Sequence, residues 1–277
     1  MSGILYIVST PIGNLGDMTH RAVKTLRGAD LIACEDTRTS GKLLKEYGIS
    51  GRLLSYHEHN EIERTREILD ALEAGLSVAV ISDAGTPGIA DPGFRAVEAA
   101  INAGVTVVSV PGPSALAAAI SISGLPADSV YFGGFLPSRK GERIRRLSEL
   151  KSLSATLVFY ESPHRVHQSL SDCLEVLGNR RMVLAREITK LHEECLRGRI
   201  SEILDQTTAV PVKGEIVLLF DRPDPDDAGR QLSAESAAER YNDLIKEGMD
   251  QKKALRQTAK ELGLSRSETY RLIHTIN

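Results

Sequence analysis

Three short stretches rich in glycine and proline have the composition of ligand loops: "STPIGNLGD" from Ser9, "SDAGTPGIADPG" from Ser82 and "VPGPSA" from Val110. Glycine permits positive φ and close backbone approach, so exposed N–H groups can meet polar ligand edges. Pro11, Pro87, Pro92, Pro111 and Pro113 remove donors and stiffen the chain. That combination suits shape recognition of a flat, neutral ligand better than a phosphate nest. The loops carry neither G-x-x-x-x-G-K-[ST] nor G-x-G-x-x-G, so they match neither a nucleotide hydrolase nor an ordinary dinucleotide site. A single such loop is also just a tight turn; three together favour a ligand.

Charged constellations come next. "CEDTRTS" sets Glu35, Asp36 and Arg38 after an apolar run, where Asp36 or Thr37 could equally cap a helix. "FYESPHR" puts Glu161, His164 and Arg165 in one turn, and "AREITKLHEE" adds Glu187, Lys190, His192 and Glu193. "PSRKGERIRR" holds Arg139, Lys140, Arg143, Arg145 and Arg146, which could contact phosphates or form a solvated helix face. His57, Glu58 and His59 lack a distant Cys or His partner. They form an incomplete metal site, and a polar loop or a substrate mouth is expected there instead.

The elements that must position these residues follow a regular alternation. "ILYIVS", "ADLIACE", "SVAVIS" and "VTVVSV" read as strands, separated by helical segments such as "NEIERTREILDALEAG" and "GFRAVEAAINAG". This predicts a parallel α/β domain over residues 1–120, with all three loops after strands, where such sheets bind ligands. A second α/β domain is expected over 121–225, with strands in "SVYFGGF", "ATLVFYES", "RMVLAREI" and "GEIVLLFD". An acidic, proline-bearing linker near 221–230 precedes a helical domain at 231–277. "QTAKELGLSRSETYRLI" has the rhythm of a helix-turn-helix: Ala259 and Leu262 inward, Gly263 at the turn, Ser265 as cap, Tyr270 opening the next buried face.

Composition bounds the partners. The 277 residues have a formal charge of -3, so no global basic field marks a nucleic-acid binder, and local patches must carry that case. Residues 248–277 do hold six Lys or Arg against three acids. Three scattered cysteines, without pair spacing, and the absence of a signal-like or membrane-length apolar run lead us to expect a soluble cytoplasmic protein.

"VSTPIGNLGDMTHRA", "CEDTRTSGKLL", "SDAGTPGIADPG", "VPGPSALAAAISISGLP" and "FYESPHRV" together resemble the ribosomal RNA small subunit methyltransferase I family. The likeness runs from about Gly3 to Phe220. It implies a two-domain tetrapyrrole methylase-like fold (class III methyltransferase) with a small C-terminal helical domain, S-adenosylmethionine in the interdomain cleft, and a homodimer. The reaction implied is 2'-O-methylation of a cytidine ribose in the decoding region of small-subunit (16S) rRNA, in the assembled 30S subunit, without metal or membrane. The tetrapyrrole methylases usually carry G-G-D-P-x-x where this chain has "DAGTPGI" from Asp83; Ala84 replaces a glycine and Thr86 an acid. By resemblance Pro11, Asp83, Ala84, Gly85, Thr86, Ile89, Ser114, Ala115, Tyr160 and Gly214 would surround the donor. For Ile89 and Tyr160, plain core packing is the alternative.

A ribose hydroxyl is a poor nucleophile, and transfer needs in-line placement with a base or a cation nearby. Glu161 or His164 could take the proton, and Lys190 or Arg165 could stabilise charge or hold a phosphate. Asp36, Arg38, Arg139, Lys140, Arg143 and Arg165 are the expected RNA contacts. Two other readings stay open: a methylase of a tetrapyrrole or other small molecule, and a DNA-binding regulator using the terminal helices.

Overall fold

The computed structural model describes residues 3–210, 212–223, 237–262 and 265–274. The expected linker from residue 224 onward and the expected turn at Gly263 lie outside the described residues.

The first sheet is wholly parallel, in the order β3-β2-β4-β1-β5. Its strands are β1 (Ile4–Val8), β2 (Leu31–Cys34), β3 (Leu53–Ser55), β4 (Val78–Val80) and β5 (Thr106–Val110). Side chains alternate across it, as a doubly covered sheet requires. Leu5, Ala33, Val78 and Val80 pack under α3 (Glu61–Glu73) and α4 (Phe94–Asn102). Val8, Ile32, Cys34 and Ala79 pack under α1 (His20–Gly28) and α2 (Thr37–Glu46). Thr19 caps α1 by accepting from Ala22 N, and Asp36 caps α2 by accepting from Arg38 N.

The second sheet is mixed, in the order β6-β7-β10-β8-β9, with only the β6–β7 pair parallel. It comprises β6 (Val130–Phe135), β7 (Thr156–Glu161), β8 (Arg181–Arg186), β9 (Glu194–Arg199) and β10 (Ile216–Phe220). One face buries Leu157, Phe159, Leu184, Leu218 and Phe220 against α6 (Lys140–Leu150), α7 (Val166–Leu177) and α8 (Ile200–Ala209). The opposite face buries Val158, Val183, Val217 and Leu219 against Ala119 of α5 (Ala115–Ser123), together with Ile12 and Ile188. A division at residue 120 falls inside α5, which packs on the second sheet. Both sheets cluster into one compact unit, 1–151 with 155–221.

A second unit comprises 152–154 and 222–277. It holds α9 (residues 237–246), α10 (Gln251–Glu261) and α11 (Arg266–His274). Asp250 caps α10 by accepting from Lys252 N and Lys253 N, and Arg240 on α9 donates to Glu261 on α10. Ala259 is buried, as the helical rhythm predicts, and Leu262 is partly so. Tyr270 is not: it is 55% exposed, and Thr269 and Ile273 occupy the buried stripe instead. Four-residue spacing puts those two on one face and turns Tyr270 off it.

The basic run also differs from its expected role. Arg143 is 1% exposed; its Nε donates to Asp172 Oδ2 at 2.7 Å and its Nη1 to Pro137 O and Ser138 O. It ties α6 to α7 and cannot reach a phosphate. Lys140 leans toward Asp172 and Glu175, and Arg146 bonds to Glu149 and the Tyr131 hydroxyl. Removing one member of a buried pair strands the other charge. Arg143→Met should therefore lower stability by about 3–5 kcal/mol in urea unfolding. The double change R143M/D172L should recover most of that loss.

Candidate active site

Strands β4, β1 and β5 are neighbours, so the loops leaving their carboxyl ends lie side by side. Thr10 N donates to Gly85 O at 2.8 Å and Gly85 N returns a bond to Thr10 O at 3.1 Å. Thr10 Oγ1 donates to Ser82 O. Thr86 Oγ1 donates to Pro113 O at 3.2 Å, which leaves Ser9 Oγ, 2.8 Å away, to donate to Thr86. The hydroxyl of Thr86 thus joins all three loops rather than facing a ligand. Gly85 sits at φ +83, and a Cβ there would lie 3.3 Å from Ile12 Cγ2. Both its conformation and its crowding exclude a bulky residue.

Two cavities flank this junction. The first, about 330 Å³, brings together Ala84, Gly85, Thr86, Ile89, Ser114, Ala115, Tyr160 and Gly214, eight of the ten residues expected around the donor. Pro11 and Asp83 line the second instead, about 450 Å³, with Thr39, Ser40, Lys42 and Lys190. Ile12, Ala84 and Glu215 belong to both walls. Ile89 is 37% exposed and Tyr160 half-buried, so neither is plain core. Tyr160 meets Phe132 and Phe135 edge-on, with ring centroids 4.9 and 5.7 Å away.

The sequence reading missed Ile12, Asp91, Phe135 and Glu215. Asp91 was legible only as part of a loop. Burial, then the charge of Glu35, pushes its carboxyl up to about 6. Ser114, Glu161, Ser162 and Glu215 also line the first cavity, and the rest of the wall is mainly apolar side chains and backbone. An apolar, glycine-bordered pocket with one desolvated carboxylate suits a flat heteroaromatic group attached to a cationic centre.

The acid–base candidates separate clearly. Glu161 is 2% exposed; Oε1 accepts from Ser162 N and Oε2 from Ser169 Oγ at 2.5 Å. Its carboxylate braces β7 to α7 and has no surface to offer a hydroxyl, which removes it as the base. Arg165 donates to Leu136 O beside it. His164 is exposed and lines neither cavity, although the adjacent Pro163 lines the first. Lys190 Nζ donates to Glu187 Oε1 at 3.0 Å and Glu215 Oε2 at 3.1 Å. Burial pulls its ammonium down, but these two bonds outweigh burial and hold it above the ordinary lysine value. Glu187 is lowered in turn by Lys190.

Gly214 has a role that sequence did not reveal: at φ +85, a Cβ there would overlap Glu187 Oε1, 2.1 Å away. It makes room for the partner of Lys190. Asp36 pairs with Arg38 through both carboxylate oxygens, which holds it at about 2, and Arg38 is 87% exposed on its side chain. Arg139 is likewise exposed, near Glu142. His57 and His59 meet edge-on and His57 bonds Asn60; among the described residues no group of three His, Cys, Asp or Glu could hold a metal ion. Nor is any described helix long and apolar enough to cross a membrane.

The matching family model is Tetrapyrrole (Corrin/Porphyrin) Methylases, over residues 4–204. The fold agrees with crystal structures of the methyltransferase CobJ (TM-score 0.60, 20% identity, 80% of this chain and 95% of that one) and of cobalt precorrin-4 methyltransferase CbiF (0.56, 19%, 79% and 94%). The class is therefore that of the tetrapyrrole methylase-like, S-adenosylmethionine-dependent methyltransferases. The chain is 42% identical over 277 residues to ribosomal RNA small subunit methyltransferase I of Halalkalibacterium halodurans, covering 98% of this chain and 95% of the relative. Over 271 residues it is 44% identical to the enzyme of the same name from Synechocystis sp., covering 98% and 97%. It belongs to the ribosomal RNA small subunit methyltransferase I family.

Asp91 gives the site a pH signature. Its folded-state value, about 6 against an ordinary 3.8, means that the folded chain binds this proton more tightly than the unfolded one. The contribution of Asp91 to stability is thus fully present below about pH 4, is lost as pH rises through about 6, and changes no further above that. Asp91→Asn should raise the urea midpoint at pH 7 and leave it unchanged at pH 4.

Proposed function

We propose that this chain transfers a methyl group from S-adenosylmethionine to the 2'-hydroxyl of a cytidine ribose in the decoding region of small-subunit rRNA. The donor occupies the first cavity and the ribose enters the second; the acceptor is the assembled small subunit, the working form is a homodimer, and no metal ion takes part. The observation that carries this reading is the shared wall. An apolar cavity and a cation-bearing one meet at Ile12, Ala84 and Glu215. A methyl donor held in the first and an acceptor entering the second would meet beside these three residues, which line both cavities.

When bound, the donor supplies an already activated methyl group. The chain's own residues position the acceptor and stabilise its charge. Lys190 stands at the second cavity with its ammonium secured by two carboxylates, beside Lys42 on the same wall. It faces the developing alkoxide or the adjoining phosphate. Its backbone is held in place by the turn Lys190 N→Glu187 O, with Glu187 and Thr189 at φ +51 and +71. Such strain persists only where the surroundings over-determine it. With Glu161 enclosed and His164 lining neither cavity, neither residue named as a proton acceptor reaches the ribose site, and positioning beside Lys190 carries the transfer. Arg38 and Arg139 remain the exposed cations for RNA, and Lys140 and Arg165 contribute only what their carboxylate and carbonyl partners leave free.

A second reading, methylation of a tetrapyrrole or other small molecule, draws on the fold neighbours. It accounts for the first cavity but not for the cations of the second.

A radiolabelled methyl-transfer assay offering small subunits, naked rRNA and tetrapyrroles in parallel should label a cytidine ribose in the subunits, located by nuclease digestion and nucleoside mass. Label on a base or a tetrapyrrole would overturn the reading. Gly85→Val should abolish donor binding in calorimetry. Lys190→Ala should leave donor affinity intact and lower turnover about 100-fold, the usual cost of a lost charge-stabilising donor.

A further inference from the structure

The C-terminal unit has a groove of its own, about 880 Å³, that the methyl-transfer site does not use. Tyr241 from α9, Lys252 and Leu255 from α10, and Arg266, Tyr270 and Ile273 from α11 line it. On α11 the four-residue spacing of 266 and 270 sets these two side chains along one stripe, beside the buried stripe that holds Ile273. Ile273 is buried and forms the floor, while Tyr270 is 55% exposed and forms the wall. Lys252 and Arg266 are both exposed, and neither has an ion-pair partner among the described residues. The nearby carboxylates are engaged elsewhere: Asp250 caps α10, and Glu261 accepts from Arg240 and Gln257.

We infer that this groove binds an unpaired nucleobase of the RNA substrate, stacked on Tyr270, with the neighbouring phosphates meeting Lys252 and Arg266. The inference rests on the reading of the substrate as RNA and adds how the C-terminal unit holds it. A helix-turn-helix that reads a duplex lays a polar helix face into the major groove. Here the aromatic and cationic residues line a concavity instead, which a duplex cannot enter and a single base can. Aromatic rings stack any base through its π-face, while cations follow the backbone. The charge agrees: residues 248–277 carry six Lys or Arg against three acids in a chain whose formal charge is -3.

The test is fluorescence anisotropy of the full-length protein with a labelled single-stranded RNA of about eight nucleotides, and with a blunt RNA duplex of the same length. The single strand should bind more tightly. Tyr270→Ala should weaken it about tenfold, within the range for loss of one stacked base, and Tyr270→Phe should bind like the parent. The double change K252Q/R266Q should flatten the log–log salt slope by about 1.4, the value for two phosphate contacts on a single strand. Donor affinity by calorimetry should not move in any variant.

If circular dichroism shows that Tyr270→Ala loses helix, Tyr270→Leu keeps the packing area without the π-face. It should weaken binding as strongly as alanine would. Parent-like affinity in a folded Ala or Leu variant, or preference for the duplex, would overturn the inference. The two readings fail separately. Methyl transfer to subunits with an inert Tyr270 sinks the groove alone. Tyr270-dependent binding without methyl transfer sinks the proposed reaction alone.

Discussion

The active site depends on the backbone bridge between Thr10 and Gly85. Strand order makes it possible: β1 lies between β4 and β5, so three loops that are distant in sequence emerge together. The bridge then fixes their register. Each of its bonds is worth only about 1 kcal/mol net, but Thr10 is fully buried, and leaving its polar groups unpaired would cost more than the bonds contribute. The Ser9–Thr86–Pro113 chain adds the third loop. Proline stiffens all three loops in the unfolded chain as well, so less entropy is lost in ordering them.

The second sheet is coupled to this junction by burial and by charge. Ile12 leaves the first loop and packs among Val183, Val217 and Leu219. A methyl-sized gap there would loosen the wall that the two cavities share. On the other side, the turn at 187–190 holds two non-glycine residues at positive φ, each costing on the order of 1–3 kcal/mol. Three hydrogen bonds offset that cost: Glu187 N to Glu215 O, Thr189 N to Glu193 Oε2, and Lys190 N to Glu187 O. The strained turn delivers Lys190 to the second cavity, and Gly214 leaves space for its counter-charge.

Charge in the sequence and charge on the surface prove to be different quantities. The run from Arg139 to Arg146 reads as a basic patch, yet its members are divided between solvent and structure. Arg143 is a buried brace and Lys140 and Arg146 lean on carboxylates, while Arg139 and Arg145 remain exposed. A one-dimensional count cannot separate these cases, because the partner Asp172 lies on another helix. Glu161 shows the same effect with opposite sign: it sits in a turn full of chemistry, and its carboxylate points into the helix layer beside Ser169.

Apolar periodicity and turn composition carry the strand–helix alternation, the three loops after strands and the helical C-terminal unit. These features are local: apolar periodicity, glycine, proline and cap residues act through neighbours in the chain. The same patterns miss β9, whose "ECLRGR" has no apolar stripe because an edge strand needs little burial and is protected by charge. Which loops touch, which carboxylates and cations are free, that Asp91 is desolvated at the cavity wall and that Tyr270 faces a groove are set by the assembled fold. Those outcomes depend on strand order and on partners tens of residues away. Burial and pairing are properties of the assembled surface, and no local pattern encodes them.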